Sequence, residues 1–194
     1  QADAAPTQLY FTPDRAAIQY SSGTWSDLFD SSSVINTQPV ITVVAWWLLI
    51  MAIGWAAWPL LFSLFPSFAD RGYSLAKTAG LLISGWLAWY GASAGLATWS
   101  RDGLLLALGL LLLAGVVLLL RRRADFAGFV REHWRRLMWI EVITLLAFLG
   151  FLAIRLTNPD LWHYQFGGEK PMDFAYLNGV LRSTIFPAID PWHA

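Results

Sequence analysis

Two carboxylates set four residues apart, Glu169 and Asp173, stand where a polar and aromatic tail follows a long apolar stretch. A carboxylate so placed can accept a proton from a hydroxyl, or act with a metal ion. It can equally do no more than favour a helix start, because the macrodipole is positive at a helix N-terminus. Pro171 suits the first turn of a helix and Met172 to Ser183 can form a short one, so the two carboxylates bracket its beginning. Spacing alone leaves capping and catalysis both open. Glu141 and Arg155 are ionisable groups within one apolar stretch. Arg155 has two fates, a charge-assisted contact with a phosphate or snorkelling to the interface. Glu141 lies near Arg135 and Arg136, which favours a paired interfacial role over a proton relay.

The elements that must position these groups are membrane spans. The chain has 194 residues, 57% hydrophobic and 13% charged, a balance unlike that of an ordinary soluble domain. A bilayer core about 30 Å thick needs roughly 20 apolar residues in a helix. Four stretches qualify: Val40 to Phe65, Leu75 to Trp99, Gly103 to Leu120 and Leu137 to Leu156. Pro59 is expected to bend the first near its end, and Pro66 stops it. The second is rich in small residues, and Gly91 and Gly95 offer a spacing for close helix approach, which makes it the expected central helix. The third carries eleven Leu and no polar side chain.

The expected fold is therefore an all-α integral membrane protein with four transmembrane helices. Residues 1–39 form an extracytoplasmic segment or linker, 40–156 the transmembrane region, and 157–194 an extracytoplasmic acidic-motif loop with a juxtamembrane helix. On that last helix Phe174, Leu177, Val180 and Leu181 share one side, which should rest on the membrane surface. In the first segment, Gln8 to Thr12 and Ala17 to Tyr20 read as strand-like pieces. Orientation follows from the cations. Arg71, Lys77 and six arginines between Arg121 and Arg136 stand on one side, and five cations are spread thinly on the other. Positive loops stay in the cytoplasm, so both ends are expected outside it. An outward N-terminus needs something to carry it across, so either a cleaved signal sequence or a portion of a longer protein is expected, the second being favoured. The loop Arg121 to Arg136 sets Phe126, Phe129, Val130 and Trp134 at helical spacing opposite charged residues, the pattern of an interfacial helix. That helix reads either as a topology signal or as a binder of anionic lipid head groups.

Composition also excludes. Thirteen basic and thirteen acidic residues cancel, so nucleic acid is not an expected partner. Without cysteine there is no disulfide, thiolate metal site or thiol nucleophile. No metal site and no cofactor are read from the remaining residues, and His133 is assigned no chemistry.

The tail GGEKPMDFAYLNGVLRSTIFPAIDPW closely resembles the signature of the YYY membrane protein family, large multi-spanning bacterial and archaeal proteins of unassigned function. The resemblance extends over about residues 38–194, including the Trp46-Trp47 pair, the DRGYSLAKTAGLL segment and the arginine-rich loop. The family's architecture is similar to that of GT-C membrane glycosyltransferases, in which an acidic loop follows a span and the donor is a polyprenyl-phosphate-linked sugar. The resemblance implies Glu169 and Asp173 as catalytic carboxylates, and Arg155, Lys170 and Arg182 as donor-binding cations. It implies a prokaryotic cytoplasmic membrane, with lipid, the donor, and further spans of a longer chain or other subunits as partners. A different class of function, a non-catalytic subunit or scaffold packing against partner helices, is open on the same residues. A transporter is disfavoured, because no intramembrane charge cluster or pair of broken helices is apparent.

Overall fold

Pro39 opens the first long helix where its missing N–H costs nothing. The computed structural model describes residues 13, 14, 17, 30–157, 170–183, 186 and 188, with Lys170 and Pro171 by their backbone alone. A short helix α1 (Val34–Thr37) precedes α2 (Pro39–Leu64), α3 (Ala76–Ser93), α4 (Arg101–Arg121), α5 (Arg123–Thr157) and α6 (Lys170–Arg182). Among the described residues there is no strand. Gln8 to Thr12 and Ile18 to Tyr20 lie outside them, and Ala17 is helical.

Two compact units divide the chain. The first comprises Gln38–Leu87 and Leu104–Asp160, and the second Gln1–Thr37, Ala88–Gly103 and Leu161–Ala194. Among the described residues three helices are long and apolar enough to cross a membrane: α2, α4 and α5. The expected second span is an eighteen-residue helix that carries Lys77 and many small residues. It ends at Ser93 because Gly95 adopts a left-handed φ of 71°, and Leu96 N–H donates back to the Gly91 carbonyl at 2.9 Å, a glycine-terminated helix end. Gly95 is thus a terminator, and the Gly91/Gly95 pair is not a packing face.

In the first unit the central helix is α2. Its Ala57 is fully buried, and it packs on α3 where glycines remove the obstacle. A Cβ at Gly80 would stand 2.8 Å from the Ile53 carbonyl oxygen, and one at Gly54 2.8 Å from Lys77 Cγ. The small residues turned inward on α3 are Ala76, Gly80 and Ser84, a period of four. On the other flank Gly115 of α4 lies against the Ala56 carbonyl, and Leu111 joins Ile53 and Ala57 in a common cluster. Helix α5 meets α2 at both heights: Trp47 and Phe148 are 5.1 Å apart, and Trp58 and Phe126 4.4 Å.

Helix α5 is 35 residues long and joins the expected interfacial helix to the expected fourth span without a break. At about 1.5 Å per residue that length exceeds a bilayer core of about 30 Å. No Pro or Gly separates Trp134 from Leu137, so nothing stops the helix there. Its apolar residues also differ in use from the expectation. Phe126, Phe129 and Val130 pack on the cluster of Trp58, Leu61, Phe62, Tyr73 and Leu137, so they face protein, while Trp134 is exposed.

Between α2 and α3 the chain turns around Asp70, whose carboxylate accepts from the N–H groups of Gly72 (3.1 Å) and Ser74 (2.8 Å). Burial raises the Asp70 pKa, but these hydrogen bonds outweigh it and hold the carboxyl below the usual range. Within this turn Arg71 takes a left-handed φ of 51°, a conformation that costs a residue with a Cβ about 1 kcal/mol or more.

Candidate functional site

Helix α6 begins at Lys170 and places Asp173 on its first turn and Arg182 on its last. Nine residues at about 1.5 Å each separate those two groups by roughly 14 Å along the axis, so the helix does not bring them together. Asp173 is exposed, and its carboxylate makes no hydrogen bond or ion pair among the described residues. A capping role would join a side-chain oxygen to a free N–H of the first turn, and among the described residues Asp173 makes no such bond. Glu169 lies outside the described residues, as does the Lys170 side chain. Arg155 is exposed on the last turn of α5.

On α6, Phe174 and Leu177 are exposed at 45% and 50%. The opposite side is the inward one: Gly179 is buried and Ser183 has no exposure. Asn178 Nδ2 donates to the Phe174 carbonyl at 2.7 Å, which ties its amide to its own helix. In the same unit Phe186 meets Trp99, on the connection that leads into α4, with ring centroids 4.7 Å apart. That connection caps α4 in the ordinary way, with Ser100 Oγ accepting from Gly103 N–H at 3.2 Å.

A second polar constellation, in the first unit, pairs Glu141 with a residue the sequence did not suggest. Lys77 Nζ of α3 donates to Glu141 Oε1 at 2.6 Å, the two side chains being 12% and 22% exposed. The expected partners, Arg135 and Arg136, are engaged elsewhere: Arg135 lies over the Trp134 ring and Arg136 Nη1 donates to the Ala69 carbonyl. Gly54 supplies the space through which the Lys77 stem passes. Tyr73 lies beside the pair, with Lys77 Nζ 5.3 Å from its ring centroid. Burial first, and then the Glu141 carboxylate, push the Tyr73 phenol up to about 12, so it stays a neutral donor at ordinary pH. Lys77 and Glu141 neutralise one another. The only sequence signal for their meeting was that each is a lone charge in an apolar surrounding, and such charges seek each other. Among the described residues no group of three or more metal-ligating side chains forms.

Residues 83–194 match the model of a family described as an uncharacterized membrane protein, DUF2298. That match begins within α3 and takes in α4, α5, α6 and the tail. No curated protein and no solved structure matches the chain.

Proposed function

The chain belongs to the uncharacterized membrane protein family DUF2298, and on that premise we propose that it is part of a GT-C-like membrane glycosyltransferase that uses a polyprenyl-phosphate-linked sugar. The observation that carries the reading is Asp173: an exposed carboxylate on the first turn of α6, without a capping bond among the described residues. An exposed carboxylate is available to take a proton from an acceptor hydroxyl. In this reading Glu169 is the second carboxylate and Lys170 the cation that receives the donor phosphate, Arg182 being set apart from them by the length of α6. The exposed Phe174 and Leu177 rest in the bilayer interface, where a lipid-linked donor is held. The same reading takes α3 as a second span between α2 and α4, giving four spans with both ends outside a prokaryotic cytoplasmic membrane.

The test uses the full-length protein in membranes with a panel of polyprenyl-phosphate sugars. Asp173→Asn keeps the shape and is expected to lower transfer about a hundredfold to ten-thousandfold without loss of folding, and Glu169→Gln to do likewise. Normal transfer by both variants sinks the catalytic assignment.

A second reading, a non-catalytic subunit, is favoured by the exposed apolar surface of α5, whose most apolar stretch is only 6% buried. Phe151 and Ile154 are 74% and 65% exposed there, as a helix seated against partner helices or lipid requires. Absence of transfer by the parent with every donor, together with stable co-purification of another membrane protein through α5, would favour it.

A further inference from the structure

Within the first unit, the turn after α2 and the beginning of α5 enclose an open cleft of about 600 Å³ that none of the preceding functions uses. Its walls carry three guanidinium groups, Arg71, Arg122 and Arg136, together with His133, and two carboxylates, Asp125 and Glu132. On α5 the lining residues Asp125, Phe129, Glu132, His133 and Arg136 recur at spacings of three and four, so they form one face of the helix, next to the face that Phe126 and Val130 commit to α2.

The arginines are held rather than left to wander. Arg71 and Arg122 both lie over the Phe62 ring, at 4.9 and 6.0 Å from its centroid, and Arg71 also lies 5.8 Å from that of Phe129. Arg136 is fixed by its bond to the Ala69 carbonyl at 2.5 Å. His133 stacks on Phe129 at 4.4 Å, and its Nδ1 is engaged with the Phe129 carbonyl at 3.2 Å, which leaves Nε2 for another group.

Charge in the cleft is not balanced from within. Asp125 reaches Arg122 only at 3.7 Å and Glu132 reaches His133 only at 4.0 Å, and both carboxylates are mostly in water, at 66% and 77% exposed. Among the described residues Arg71 has no carboxylate partner. Three arginines against two carboxylates leave one positive charge in excess. Two like charges gathered on one aromatic ring repel each other until an anion comes between them, and the planar fork of arginine matches phosphate oxygens in pairs. Arg71 accepts an uncommon backbone conformation to stand there.

The geometry points to a phosphate-binding site in this cleft, one that takes a phosphomonoester or phosphodiester anion through Arg71, Arg122 and Arg136. Two sources share that chemistry, a free phosphate and the head group of an anionic phospholipid. Because the site lies on elements other than α6, it is independent of the transferase reading.

The full chain in neutral detergent is titrated with dihexanoyl phosphatidic acid, with dihexanoyl phosphatidylcholine, whose phosphodiester is neutralised by its own choline, as the zwitterionic comparison, and with inorganic phosphate. Phosphatidic acid is expected to bind at least about tenfold more tightly than phosphatidylcholine, as charge-assisted hydrogen bonds require. Arg71→Asn removes the guanidinium while suiting the left-handed backbone, and should weaken binding about tenfold without unfolding the chain. Arg131→Gln, an exposed arginine outside the cleft, should change it less than about twofold. Inorganic phosphate that binds and displaces the lipid identifies a free phosphate as the source, and lipid binding indifferent to it identifies the head group; either supports the site. Equal weakening by the two variants, or no binding of either anion, overturns it. Should Arg71→Asn fail to fold, Arg122→Gln carries the same comparison.

Discussion

Replacing Glu141 by Leu removes one partner of an ion pair that is nearly out of water. The Lys77–Glu141 contact is 2.6 Å long, with 12% and 22% of the two side chains exposed, so solvent screens it far less than a surface pair. Losing one member of a buried pair costs about 3–5 kcal/mol, mainly because the remaining charge is stranded. Lys77 has a long stem and some exposure, and it can partly snorkel away, so the lower end, about 3 kcal/mol, is expected. Lys77→Met should cost about as much, since Glu141 is then left alone in the same surroundings. With both replaced no charge is stranded, and the double variant should lie within about 1 kcal/mol of the parent rather than lose the sum of about 6. That coupling can be read from reversible unfolding of the four proteins in mixed micelles. Costs that simply add, within about 0.5 kcal/mol, would refute a buried pair and place the two charges in water.

Gly115→Leu drives a side chain into the Ala56 carbonyl and should part α4 from α2, seen as lost thermal stability; Gly109→Ala, where a Cβ meets nothing within 4 Å, should be neutral or slightly stabilising. Phe62→Ala empties a position 1% exposed and should cost about 3–5 kcal/mol in the same unfolding assay. Asp70 has a lowered folded pKa, so its contribution is complete above the ordinary 3.8 and is lost as pH falls through the lower folded value; Asp70→Asn should flatten that acid limb of a stability–pH profile. Because the chain has no cysteine, Ser31→Cys and Met172→Cys are clean topology probes, and in the four-span reading both react with an impermeant thiol reagent from outside; reaction of one alone leaves an odd number of crossings.

Helix positions were legible in the sequence because apolar length and prolines decide them locally. Val40 to Phe65 became α2 within a residue or so at each end, and Gly103 to Leu120 became the interior of α4. Packing was less legible, since which small residues matter depends on where the partner helix passes. Gly91 and Gly95 have the spacing of a contact, but Gly95 left the helix, while Gly54, Gly80 and Gly115 carry the close approaches. A glycine that ends a helix and one that admits a neighbour are the same letter, and only the opposing carbonyl distinguishes them.

The same reasoning explains the arginine-rich stretch. Its apolar residues at helical spacing satisfy the criterion for a helix lying on a bilayer, yet the rings of Phe126 and Phe129 meet that of Phe62 at steep angles, with centroids 5.1 and 5.5 Å away. An amphipathic pattern states that one side must leave water; it does not state whether lipid or protein receives it. Once α2 takes that side, the arginines at the neighbouring positions of α5 can no longer all spread into solvent. Some are turned toward Arg71, and a positive cleft follows from the packing of the aromatic face. The charge that read along the chain as an orientation signal thereby acquires a shape, with a fixed ring beneath two of its guanidinium groups. A topology signal needs only the number of arginines on one side, whereas a binding site needs these particular ones, so exchanging Arg131 and Arg71 for neutral residues one at a time separates the two roles.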